Sequence, residues 1–160
     1  MKKLMILGAS YSQLPLYKAA SALGVKTVAA STKGDWPGFL AADECAYADI
    51  SKPEEVLKAA RDFHADGIAT CCVDAGVAAL GYACEALGLF GLSKSAGEKS
   101  SDKYKMKEAF LKGGVRCARH ICVRSREELK EALEKLTFPV ILKAVDLMGS
   151  RGIFRCNTKE

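Results

Sequence analysis

The feature that most constrains this chain is the alternation in its first 90 residues between short apolar runs and stretches with helical spacing. Lys3–Leu7 is an apolar run closed by Gly8, which predicts a first strand. Pro15 to Leu23 follows with apolar residues at Leu16, Ala19, Ala20 and Leu23, and Gly24 stands where a helix-ending glycine belongs. Val25–Ala30 predicts a second strand, a loop carries Gly34, Pro37 and Gly38, and Cys45–Ala48 predicts a third. Ser51 and Glu54 have the spacing of a capping box before a helix that runs to about His64. Gly67–Cys72 then reads as a fourth strand, and Ala75–Leu87 as a helix stopped by Gly88. Strands alternating with helices of this length predict a parallel sheet with helices on both faces, and right-handed crossovers make it Rossmann-like.

After residue 90 the rhythm changes. Ser93 to Gly113 reads as two successive helices, with Ser101-Asp102 capping the second. Arg119–Val123 predicts a short strand, Ser125–Leu136 a helix with Ser125 and Glu128 in capping-box spacing, and Phe138–Lys143 another strand. A loop and a last strand near Ile153–Cys156 follow. The boundary between the two parts falls at residues 91–97, giving domains 1–92 and 93–160. A strand–loop–strand unit needs partner strands for its backbone groups and its apolar face. Either residues 119–123 supply one, or the chain is a piece of something longer.

Composition narrows the class. Hydrophobic residues make up 49% and charged residues 27%, as in a globular chain with a core. The apolar run after Met1-Lys2-Lys3 is too short for a signal peptide, and no run approaches the ~18 residues of a membrane span, so the expected compartment is the cytoplasm and no membrane partner is expected. The seven cysteines include no Cys-x-x-Cys pair, and most lie in apolar runs, where a free thiol packs as a small hydrophobe; no metal site is expected from them. Charge is uneven: residues 1–90 carry 8 basic and 10 acidic side chains, residues 91–160 carry 16 and 9. An anionic partner for the second part is one reading. Many of these bases alternate with acids, as in Arg126-Glu127-Glu128-Leu129-Lys130, so a solvated helix face is preferred for most of them and nucleic acid is not expected.

Three motifs carry possible chemistry. The turn Gly8-Ala9-Ser10-Tyr11-Ser12-Gln13 leads from a strand into a helix N-terminus, which suits an anion; it has Gly8 but Ser10 and Gln13 where a dinucleotide fingerprint has glycines. A glycine that simply makes the turn explains it equally well. Lys143 ends an apolar strand, and Gly149-Ser150-Arg151-Gly152 behind it offers backbone donors, a hydroxyl and a guanidinium, groups that suit phosphate oxygens. A plain hairpin with a glycine turn is the competing reading. Asp102-Lys103 opens a helix bearing Lys105, Lys107 and Lys112, which alone reads as a surface helix.

Taken in order, Ser101-Asp102-Lys103 and its helix, Gly113-Gly114-Val115, Phe138-Pro139-Val140-Ile141-Leu142-Lys143 and the glycine loop ending Arg151-Gly152-Ile153 resemble the ATP-grasp superfamily. The branch is that of biotin carboxylase and carbamoyl phosphate synthase among the carboxylate–amine ligases. The resemblance spans essentially the whole chain: residues 1–92 are similar to a Rossmann-like preATP-grasp domain, and 93–160 to the start of an α+β ATP-grasp domain. It implies that Lys103 and Lys143 contact ATP phosphates, that Met148, Gly149, Ser150, Arg151 and Gly152 close over them, and that Gly8, Ser10, Gln13 and, more weakly, Asp74 face the other substrate. It implies ATP with Mg2+, with the magnesium and adenine ligands downstream of residue 160, and small carboxylate and amine substrates joined through an acyl phosphate. A homodimer is a further implication. The 160 residues alone are then expected not to catalyse, and no catalytic residue is assigned among them. Where many relatives have glycines, this chain has Asp146-Leu147-Met148. The rival reading is a non-catalytic Rossmann-type module for a nucleotide or metabolite. An NAD-dependent epimerase or dehydrogenase is disfavoured by the incomplete glycine pattern and by Ser31, rather than an acid, after the second strand.

Overall fold

The computed structural model describes residues 1–159, which form two compact units divided between Ser101 and Asp102. In the first unit, β1 (Lys3–Leu7), β2 (Lys26–Ser31), β3 (Glu44–Tyr47) and β4 (Gly67–Thr70) make a parallel sheet in the order β3-β2-β1-β4. Both neighbours of β1 are in register with it: Met5 lies opposite Val28 on one side and Ile68 on the other.

The connecting helices are α1 (Leu14–Ala22), α2 (Pro37–Ala41), α3 (Pro53–Asp62) and α4 (Val77–Leu87). Successive strand side chains point to opposite faces. Met5, Leu7, Val28 and Ala30 accordingly pack with Val56 and Ala60 of α3 and with Ala79 and Ala83 of α4. Ile6 and Ala29 point the other way and pack with Tyr17 of α1. Covering both faces is what makes the strands read as unbroken apolar runs. It also confirms the expected α/β architecture.

Two local details differ from the sequence reading. The Pro37-Gly38 segment is the short helix α2 rather than loop, because Pro37 sits in its first turn, where the missing N–H costs nothing. The capping box at Ser51 does not form. With Pro53 opening α3, Lys52 is the N-cap, and the Ser51 hydroxyl instead donates to the Asp49 carboxylate at 2.7 Å. The Ser51 N–H also donates to the Asp49 carboxylate, at 3.0 Å, so an Asx-type turn replaces the box, and the Asp49 N–H donates to Glu55 at 2.8 Å.

The first unit also includes α5 (Lys94–Ser101), which carries it past the boundary expected at residues 91–97. α5 crosses α4 at two glycines. A Cβ on Gly81 would lie 2.6 Å from the Ser93 carbonyl oxygen, and one on Gly97 would lie 2.9 Å from that of Val77. Neither backbone can retreat without opening the helix contact.

In the second unit, α6 (Lys103–Lys112) is capped by Asp102, whose carboxylate accepts from the N–H groups of Tyr104 at 2.8 Å and Lys105 at 2.9 Å. α7 (Arg126–Lys135) is capped by Ser125, which accepts from the Glu128 N–H, while Glu128 reaches back to the Arg124 N–H. β5 (Val140–Lys143) and β6 (Ile153–Cys156) form an antiparallel hairpin. The strand expected at residues 119–123 is absent: that stretch joins no ladder. Side chains of α6 hold it instead, with Lys107 donating to the Ala118 carbonyl at 3.0 Å and Glu108 paired with His120 at 3.0 Å. Among the described residues the hairpin pairs with no third strand, and Ile141, Leu142, Ile153 and Phe154 stand exposed. Among the described residues no helix is long and apolar enough to cross a membrane.

The α4–α5 crossing gives a clear expectation for Gly81→Ala. Helix propensity favours alanine by about 1 kcal/mol. The backbone clash opposes it by about 1–3 kcal/mol. Urea unfolding should show net destabilisation, whereas a stabilised variant would mean that α5 is not seated on α4.

Candidate functional site

The loop between β5 and β6 is built as a closed hairpin end. The Ala144 N–H donates to the Gly152 carbonyl at 3.1 Å, which fixes the loop as residues 144–152. At its tip the Arg151 N–H and Nε both reach the Met148 carbonyl, at 3.4 and 3.1 Å. Gly149 at φ +64° and Ser150 at φ +59° are the two central residues, the pattern of a type I′ turn. Leu147 lies over Gly152: its Cδ1 is 3.0 Å from where a Gly152 Cβ would stand.

Lys103 grips the root of this loop from α6. Its N–H donates to the Val145 carbonyl at 2.9 Å, and its ammonium donates to the carbonyls of Leu147 and, at 3.5 Å, of Val145. Lys143, at the end of β5, is exposed, and its ammonium has no hydrogen-bond or ion-pair partner among the described residues. Lys103 and Lys143 line one open cleft of about 590 Å3, together with Lys107 and Arg119. Apolar walls come from Ile121, Val140 and their neighbours. No Asp or Glu is among the residues that line it. Four cations without a carboxylate make a field that attracts an anion. In the sequence Lys107 reads as part of a surface helix and Arg119 as the start of a strand, and neither as a site residue; the excess of bases after residue 90 is the trace they leave there.

The other predicted residues gather at the carboxyl edge of the parallel sheet, around the point where β1 has β2 on one side and β4 on the other. Open α/β sheets bind ligands outside such a point. Gly8 takes φ +100° and donates its N–H to the Ala30 carbonyl at 2.8 Å; its own carbonyl accepts from the Tyr17 hydroxyl at 2.8 Å. A Cβ there would lie 3.0 Å from the Gln13 side chain. Gln13 is 1% exposed. Its Oε1 accepts from the Ser10 N–H and hydroxyl at 3.0 and 2.7 Å, and its Nε2 donates to the Cys71 carbonyl at 2.6 Å. The Gln13 side chain thus ties the loop after β1 to the chain leaving β4 and does not reach solvent. Ser10 is half-buried and Asp74 exposed on these two loops.

Nothing points to thiol chemistry. Burial pushes the Cys71 and Cys84 thiols up, away from the reactive thiolate, which agrees with a packing role. Among the described residues no cluster of three or more His, Cys, Asp or Glu could hold a metal ion.

No protein-family profile matches the chain. Over 113 residues, 68% of its length, it is 39% identical to alanine--anticapsin ligase of Bacillus subtilis strain 168, of which it covers 24%. Among solved structures, phosphoribosylglycinamide synthetase from Anaerococcus prevotii matches 99% of the chain at 46% identity with a TM-score of 0.77. The chain spans 39% of that protein. N5-carboxyaminoimidazole synthetase from Staphylococcus aureus, solved with ADP, matches the same share at 20% identity with a TM-score of 0.81, and is covered over 42% of its length. In each case the chain corresponds to the N-terminal part of the larger protein.

The Gln13 clamp can be tested through stability. Gln13→Leu leaves the Cys71 carbonyl and the Ser10 donors without partners, which should cost about 1–3 kcal/mol in urea unfolding. An unchanged midpoint would mean that the clamp contributes nothing.

Proposed function

We propose, from the homology of this chain to the N-terminal part of ATP-grasp enzymes, that it belongs to an ATP-dependent carboxylate–amine ligase and that the cleft beside α6 and β5 receives nucleotide phosphates. The observation that carries this reading is the cleft lined by Lys103, Lys107, Arg119 and Lys143 with no carboxylate, which the β5–β6 loop enters only at its root residue Val145. A triphosphate is strongly anionic, and a single acidic side chain in the lining would oppose it.

ATP, when bound, supplies the phosphoryl group that turns a carboxylate into an acyl phosphate. This chain's residues would bind and orient. Lys143, with no partner to give up, would meet a phosphate oxygen directly. Lys103 would add charge from α6, and the Met148–Gly152 turn backbone N–H donors. The described residues form no acidic cluster suited to Mg2+, so no step is assigned to the metal here. Ser10 and Asp74 at the carboxyl edge of the parallel sheet are the proposed contacts for the second substrate, on loops shaped by Gly8 and Gln13.

The relatives' names support small carboxylates and amines as the substrate class. The same reading carries with it a preATP-grasp domain at residues 1–92 and an ATP-grasp start at 93–160. It also carries a cytoplasmic location, a homodimer, and no ligation by these 160 residues alone.

Calorimetric titration of the chain with ATP and with inorganic tripolyphosphate tests the cleft. Both should bind, and Lys143→Met should weaken both at least about tenfold, or about 1.4 kcal/mol. Lys143 has no partner in the fold, so the variant should remain folded. Equal binding by the variant, or binding of NAD in place of ATP, would contradict the reading.

A further inference from the structure

Lys103 does more in this structure than place a positive charge in the cleft. Asp102 takes the N–H groups of Tyr104 and Lys105, and the Lys103 N–H goes to the Val145 carbonyl. The first-turn donors of α6 are thus spent within the chain, and the helix end offers no free amide to an anion. What Lys103 has left is its ammonium, with three N–H donors. These hold the Val145 and Leu147 carbonyls. One residue therefore fixes the loop root twice, by its backbone and by its side chain.

The hold extends into the loop. With its carbonyl on Lys103, Leu147 keeps its side chain over Gly152, and the Gly152 carbonyl in turn accepts from the Ala144 N–H. Beyond this closure lies the Met148–Arg151 turn. We propose that Lys103 is a positioning residue for the glycine loop: its ammonium pins residues 145–147 and so orders the turn that follows them, whether or not a nucleotide is bound. Among the three lysines that line the cleft, Lys143 keeps its ammonium free for the ligand, whereas Lys103 commits its own to the loop carbonyls. This rests on the reading of the loop as a phosphate-binding element, but its test does not require a phosphate.

The test is amide hydrogen exchange of the nucleotide-free chain, read at Ala144 and Arg151, whose bonds close the loop, and across residues 104–112 of α6. Lys103→Met should raise exchange at Ala144 and Arg151 about tenfold while α6 keeps its protection, because the Asp102 cap is untouched. Lys103→Arg, which keeps the donors, should restore most of the protection, and Lys143→Met should leave the loop as in the unsubstituted chain. The proposal is overturned if Lys103→Met leaves loop exchange unchanged, if Lys143→Met loosens the loop equally, or if α6 loses protection together with the loop. Because no nucleotide is present, a negative result here is separable from a failure of the cleft to bind ATP.

Discussion

Met5, Ile6 and Leu7 are completely buried, and the first unit is organised by what that burial demands. A strand with no exposed face needs helices on both sides, and one with no free edge needs a neighbour along each. β2 and β4 meet the second demand; α3 and α4 on one face and α1 on the other meet the first. The loops that leave the carboxyl ends of β1 and β4 are then brought side by side. Gln13 fastens them there, donating to the Cys71 carbonyl while accepting from Ser10. A fold-level constraint thereby becomes a shaped edge on which a small ligand can be held.

The second unit is organised differently. Among the described residues its hairpin of β5 and β6 pairs with no third strand and leaves Ile141, Leu142, Ile153 and Phe154 exposed, so within them core burial does not fix its loop. Order comes instead from polar contacts with α6, and Lys103 makes them. The same α6 holds residues 118–120 through Lys107 and Glu108, which sets Arg119 and His120 along the cleft. The cleft thus takes two of its four cations, and the ordering of its neighbouring loop, from one helix.

Much of the first unit was legible because two-sided burial leaves apolar stretches without alternation, as at Leu4–Leu7 and Val28–Ala30. Asp102 and Ser125 were legible as caps because a cap is a local contact. The failures have equally physical causes. Ser51 had capping-box spacing, but Pro53 set the helix start one residue later and Asp49 claimed the hydroxyl. Residues 119–123 looked like a strand yet found side chains of α6 rather than a ladder. The clamp made by the buried Gln13 side chain was not legible, because polarity is visible in a sequence and burial is not. The grip of Lys103 on Leu147 spans 44 positions, so no local spacing could announce it.

A structure of the chain with ADP decides whether the cleft holds phosphates. The diphosphate should lie in the cleft, with its oxygens within hydrogen-bond distance of the Lys143 ammonium and of turn amides among Gly149–Gly152. A diphosphate seated instead on the Gly8–Gln13 loop at the edge of the parallel sheet, with the cleft empty, would contradict it.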